Sequence, residues 1–158
     1  MRLLGVAAVL VAGVGFAAVP TEAEAAALNA KYVEEWKRAQ AVKADAANAL
    51  KVENWKLWDD YDANEVAADE KYKGKRLEVT GIVARVEKDF TGSVIIQLVA
   101  RNQFMATRAG MVATPDDRIA KLKKGDKVIA LCTGAGRIMG IPMLTNCTLL
   151  KAFSRESR

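Results

Sequence analysis

From Arg76 onward apolar and polar residues alternate in five segments parted by glycine-rich or polar turns, and one short helical segment falls between the third and fourth. Before Arg76 the apolar residues recur three and four apart instead. The two patterns together predict an α+β chain, mainly β with N-terminal helices: a five-stranded OB-fold Greek-key barrel with a helix between strands 3 and 4, preceded by one long and one short helix.

The chain starts with three zones of an export signal. Arg2 is a short positive region, Leu3 to Val19 is apolar and uncharged, and Pro20 breaks the run before Ala23-Glu24-Ala25, which offers small residues at the A-x-A positions. The competing reading is a membrane anchor. The run lies at the lower limit of what a spanning helix needs, about 17–25 residues, and it lacks a basic stop-transfer flank. No cysteine follows it, so a lipid-modified N-terminus is not available. The expected organisation is a signal peptide (1–25), a helical segment (26–60), an OB-fold domain (61–153) and a polar tail (154–158). It implies a periplasmic or secreted protein with no stable membrane span after cleavage. Cleavage removes one base and two acids and takes the formal net charge from +5 to +6. That balance permits weak attraction to anions and demands none.

Residues from about Ala26 to Trp58 are rich in Ala, Lys, Glu and Leu and hold no Gly or Pro. Tyr32, Trp36, Ala39, Val42, Ala46, Ala49 and Val52 fall on one stripe of a helix. The stripe would serve equally to meet a partner or to fold back on the barrel. Asp59 to Asp62 reads as a charged break. A second helix covers Ala63 to Tyr72, with Asp62 or Asn64 as its N-cap. Gly74 suits the left-handed position that ends it.

The first strand runs about ten residues from Arg76, with Gly81 in its middle marking a bulge or bend. It must pair at both ends to close a barrel. The stretch Asp89 to Ser93 is a turn, Val94 to Val99 the second strand, and Phe104 to Arg108 the third. Thr114-Pro115-Asp116-Asp117 opens the intervening helix, with Thr114 as N-cap and Pro115 at its first position. Lys127 to Thr133 is the fourth strand and Met143 to Phe153 the fifth. Gly134-Ala135-Gly136 and Gly140-Ile141-Pro142 punctuate the hairpin between them.

Cys132 and Cys147 are the two cysteines. Facing residues of an antiparallel hairpin have a constant index sum. The midpoint of this pair falls between Met139 and Gly140, inside the turn region, so the two face each other across the last two strands. In an oxidising compartment they form a disulfide. The alternatives, a redox dithiol or a metal site, find no C-x-x-C, no histidine and no third cysteine. Gly134-Ala135-Gly136-Arg137 imitates a phosphate loop, but the next glycine comes one position late and no helix follows.

The absence of histidine removes the commonest general base and metal ligand. Asp59/Asp60 and Asp116/Asp117 have simpler readings as a linker and a helix start. The chain is therefore read as no enzyme, with no cofactor and no metal. A binding surface would lie on the second and third strands and the loop after the first, with Phe90, Arg101, Phe104 and Arg108 as candidate ligand-binding residues. One or two aromatics make a poor stacking platform, and export removes most nucleic acid from reach, so nucleic acid is the disfavoured ligand.

The run Asn64-Glu65-Val66-Ala67-Ala68-Asp69-Glu70-Lys71-Tyr72-Lys73-Gly74-Lys75 followed by Leu77-Glu78-Val79-Thr80-Gly81-Ile82-Val83 resembles exported bacterial OB-fold proteins of the tRNA-anticodon-binding-like (tRNA_anti-like) family. Leu122-Lys123-Lys124-Gly125-Asp126-Lys127-Val128 and the cysteine pair resemble it too. The likeness covers about Tyr61 to Leu150. It implies an OB barrel with a preceding helix, with Tyr72 and Val66 packing that helix on the barrel, and it transfers no functional residue. The function expected is an exported, non-catalytic binding module for a protein, peptide, small-molecule or glycan ligand. The alternatives are an interaction protein acting through the long helix and a nucleic-acid-binding OB fold.

Overall fold

The computed structural model describes residues 21–101, 105–112 and 116–155. The apolar leader up to Pro20, Phe104 and the Thr114-Pro115 pair lie outside the described residues. The chain groups into two units that part between Ala39 and Gln40.

Helix α1 (Glu22–Asn48) begins ahead of the expected cleavage site. It opens on a capping box: the Thr21 N–H donates to the Glu24 carboxylate at 2.7 Å, and the Glu24 N–H donates to the Thr21 hydroxyl at 3.3 Å. No residue of α1 is buried. The single helix expected to continue to Trp58 ends at Asn48. Leu50–Glu53 is instead a strand, β1, paired in parallel with residues 77–80. Leu50-Lys51-Val52-Glu53 alternates apolar and polar, so it fits a strand as well as a helix, and burial of Val52 against a waiting strand edge decides the matter.

Helix α2 (Asn54–Ala63) and helix α3 (Glu65–Tyr72) follow. The Asp59–Asp62 segment read as a break lies inside α2. Asn64 is the N-cap of α3, its side chain accepting from the Ala67 N–H at 3.1 Å. Tyr72 and Ala68 are the buried residues of α3, while Val66 is 72% exposed and does not pack on the sheet.

The strands are β2 (Arg76–Lys88), β3 (Val94–Val99), β4 (Ala106–Met111), β5 (Lys127–Ile138) and β6 (Ile141–Phe153), with helix α4 (Asp117–Lys121) between β4 and β5. Asp116 caps α4, its carboxylate accepting from the Arg118 N–H at 3.0 Å. With β1 the sheet has six strands rather than five, in the order β1-β2-β3-β4-β6-β5. β2 pairs with β5 through Arg76–Ile82 and with β3 through Ile82–Lys88. The hydrogen-bonded order therefore returns on itself through β2, as an OB-like fold requires. β4 and β6 run parallel, and the other pairings among these five strands are antiparallel.

Gly81 marks the changeover but not the bulge. A Cβ there would meet Leu98 Cβ at 3.2 Å and Asn54 Cβ at 3.3 Å, so the position needs a small residue for close packing. The bulge comes between Val83 and Arg85. It flips the alternation, so Leu77, Val79 and Val83 face the core before it and Val86 packs against the core after it. The β5–β6 hairpin turns at Met139 (φ 50°) and Gly140 (φ 80°), a two-residue turn of the left-handed kind that strand twist favours. Gly134 and Gly136 lie within β5 rather than in a turn.

The core joins Leu77, Val79, Val83, Ile96, Leu98, Val128, Ala130, Leu144 and Leu149 with Leu57, Tyr61 and Tyr72 from the helices. Cys132 and Cys147 are joined in a disulfide within it. Among the described residues no helix is long and apolar enough to cross a membrane.

Candidate ligand-binding face and groove

The outward face of β2, β3 and β4 is organised on one carboxylate. Gln97 faces Arg85 on one side and Arg108 on the other in the strand ladders. Glu87 accepts from the Gln97 side-chain amide at 2.7 Å and lies 3.6 Å from Arg108 Nη1 and 3.5 Å from Arg85 Nη1. Both arginines thus have an acidic partner. Such part-exposed pairs are individually weak, each worth about 0–1 kcal/mol, and the one carboxylate offsets one of the two guanidinium charges.

The turn between β2 and β3 is held by Asp89. Its carboxylate accepts from the Thr91 hydroxyl at 2.6 Å and from the Thr91 and Ser93 N–H groups at 2.8 and 2.9 Å. Those bonds, led by the Thr91 hydroxyl, keep the Asp89 carboxyl below the usual range. The turn so fixed presents Phe90 wholly to solvent. Arg101, just after β3, lies elsewhere: its Nε donates to Asp59 of α2 at 2.5 Å. Of the four candidate residues, then, Arg108 sits on the central face, Phe90 at the tip of the turn, Arg101 beside α2, and Phe104 outside the described residues. The structure does not gather them into one cluster.

Glu87 also borders a groove that the sequence did not single out. Among the described residues it measures about 710 Å³ and lies between the β2–β3 turn, the end of β4 and α4. Val86, Val94, Met111 and Ile119 give it an apolar floor, and Glu87, Lys88, Ser93 and Asp116 a polar rim. Asp116 is held by the Arg118 guanidinium in two bonds, at 2.8 and 2.9 Å, which keeps its carboxyl below the usual range. The volume falls within the range of roughly 300–1,000 Å³ seen for small-ligand pockets. A period of two carried across the bulge after Val83 assigns Val86 to the opposite face, so the sequence pattern does not place it here. Among the described residues no group of three or more Cys, Asp or Glu side chains is placed to hold a metal ion.

The tRNA_anti-like family model matches residues 1–148. A crystal structure of a candidate nucleic acid-binding lipoprotein from Klebsiella pneumoniae subsp. pneumoniae MGH 78578 is similar in fold, with a TM-score of 0.56 and 17% sequence identity, covering 67% of this chain and 95% of that one. No curated protein matches the sequence.

Proposed function

The chain belongs to the tRNA_anti-like family, and on that premise we propose that it is an exported, non-catalytic OB-fold binding module. The ring β2-β3-β4-β6-β5 is read as the five-stranded Greek-key barrel of that fold, with β1 as an added strand beside β2. The carrying observation is the groove of about 710 Å³ beside the β2–β3 turn, apolar below and polar at its rim. Its ligand is a peptide segment or small molecule with one apolar group and a few polar ends. Export is supported by the leader pattern at Met1–Ala25 and by a bridged cysteine pair.

The test is an amide-shift titration of the labelled chain with peptide and small-molecule fractions of the native cell envelope. Shifts confined to Val86, Val94, Met111 and Ile119, lost in Ile119→Glu and weakened in Arg108→Ala with unchanged melting, support the reading. Shifts mapping elsewhere, or none from any fraction, overturn it. Sequencing the N-terminus of the envelope-borne protein checks export, with Ala26 as the expected first residue.

A second reading rests on α1, where Tyr32 is 61% and Trp36 64% exposed on one face. It makes the helix a protein-interaction surface. Retention of ligand binding after Tyr32→Ser/Trp36→Ser would set it aside. The nucleic-acid reading, favoured by the Klebsiella neighbour's description, requires an oligonucleotide affinity that falls steeply with salt.

A further inference from the structure

The outer face of β2, β5 and β6 lies apart from the groove. There Ile82 faces Lys127 in the ladder, and Lys127 faces Phe153. The next row places Thr80, Ile129 and Lys151 side by side. Facing residues share one side of a sheet about 5 Å apart, so the two rows form one patch. Phe153 is 48% and Ile82 37% exposed. Two shallow hollows of about 610 and 450 Å³ meet at Phe153 and Ser154. Lys127 lines the first, and Lys121 and Lys151 line the second.

Among the described residues the charges here have no counterweight. Lys121, Lys127 and Lys151 make no ion pair with any described carboxylate. The acid among the hollows' described lining residues is Asp126, and it is buried. Its two oxygens are taken by backbone N–H groups, Lys123 at 2.8 Å and Arg155 at 3.2 Å. Among the described residues the patch is therefore apolar at its centre, cationic around it, and without a free carboxylate.

We propose that this patch docks the protein on an anionic lipid bilayer surface. Lysines that flank half-exposed apolar groups satisfy both conditions of interfacial binding: attraction to anionic headgroups and insertion of apolar side chains at their level. A single-stranded nucleic acid fits less well. It needs a run of aromatic rings along a cationic track, and this patch offers one ring among aliphatic side chains.

The experiment uses a chain starting at Ala26, so that the apolar leader cannot itself enter lipid. The described core cluster holds no residue before Val52, so this chain keeps all of it. Co-sedimentation is measured with vesicles of phosphatidylcholine alone and with vesicles carrying one-third phosphatidylglycerol. Binding is expected to the anionic vesicles only and to weaken as salt rises. Lys127→Ala and Lys151→Ala should each lower partitioning about fivefold. Phe153→Ser should lower it as well, with melting temperatures unchanged in all three. The proposal is overturned by absent or equal binding to the two vesicle types, or by variants that bind like the parent. Loss of oligo-thymidylate binding in these variants with vesicle binding intact would overturn it in favour of a nucleic-acid site.

Discussion

The hydroxyl of Tyr72, the last residue of α3, donates to Asp60 of α2 at 2.5 Å. The bond has a reciprocal: Tyr61 of α2 donates to Asp69 of α3 at 3.0 Å. The two rings lie 6.1 Å apart, and both residues are buried. Asp60 further accepts from Lys71 at 2.9 Å and from Lys56. Arg137 of β5 joins this clasp by donating to the Tyr61 carbonyl at 2.9 Å. Neighbouring residues of α2 thus reach two residues of α3, which fixes the angle between two short helices that could not persist alone.

Removing only the Tyr72 hydroxyl isolates this clasp. Tyr72→Phe keeps the ring in the core and deletes one bond to a carboxylate. The expected cost is about 1.5–2 kcal/mol in urea denaturation, with little change in the slope against urea. Tyr72→Ala also opens a cavity and should cost about 3–5 kcal/mol.

Acid should weaken the same contact. Burial pushes the Asp60 carboxyl upward, but bonds from Lys56, Tyr72 and Lys71 outweigh that and hold it well below the usual carboxylate range. A carboxyl whose folded value lies below its unfolded one, about 3.9, stabilises fully above that unfolded value. It loses the contribution as pH falls through the folded value, because the unfolded chain then binds the extra proton. Urea midpoints measured from pH 7 down to pH 3 should therefore fall less between pH 4 and 3 for Asp60→Asn than for the parent. Equal slopes would mean that Asp60 is not held low.

The clasp was not legible in the sequence. Asp59 to Asp62 reads as a charged break because aspartate is a poor helix-interior residue, and beside the local Lys56 it is partners eleven and twelve positions away, Lys71 and Tyr72, that tie Asp60 to α3. Strand periods, by contrast, could be read directly: Leu77, Val79, Val83, Ile96, Leu98, Val128 and Ala130 all reach the core. They failed at bulges, where an extra residue reverses the alternation. Asn146 (φ 49°) sits at the shift in β6, so Leu144 and Cys147, three apart, both face inward. β1 is not legible because its four residues satisfy either period and only tertiary pairing chooses. The groove draws Val86, Met111 and Ile119 from three distant segments, a convergence that no local pattern encodes.

The cysteine pair gives a third prediction. The index sum that placed Cys132 opposite Cys147 is also that of the pairs Leu131–Thr148 and Ile138–Ile141. Both cysteines are fully buried. Closing a loop with sequence separation 15 is worth on the order of 3 kcal/mol in the chain-entropy model. Cys132→Ala/Cys147→Ala should lose about that much, and the parent should match it only when unfolded in the presence of reductant. Identical denaturation curves for parent and double variant would deny the bridge a role in stability.

The last prediction concerns Gly134, where the chain leaving α3 crosses β5. The Gly74 N–H donates to the Gly134 carbonyl at 2.8 Å, and the Gly134 N–H donates to the Lys75 carbonyl at 3.0 Å. A Cβ at Gly134 would come within 2.2 Å of the Tyr72 carbonyl oxygen and 2.9 Å of its carbon. Both obstacles are backbone, so no rotamer change relieves them, and separating the two segments breaks both hydrogen bonds. Gly134→Ala should therefore cost at least about 3 kcal/mol and leave Tyr72 displaced. Gly92 provides the control. It has a positive φ of 84° but nothing within 4 Å of an added Cβ. Gly92→Asn, which tolerates that conformation, should stay within about 1 kcal/mol of the parent. If Gly134→Ala unfolded at the same urea concentration as Gly92→Asn, close approach of these two backbones could not be what the glycine serves.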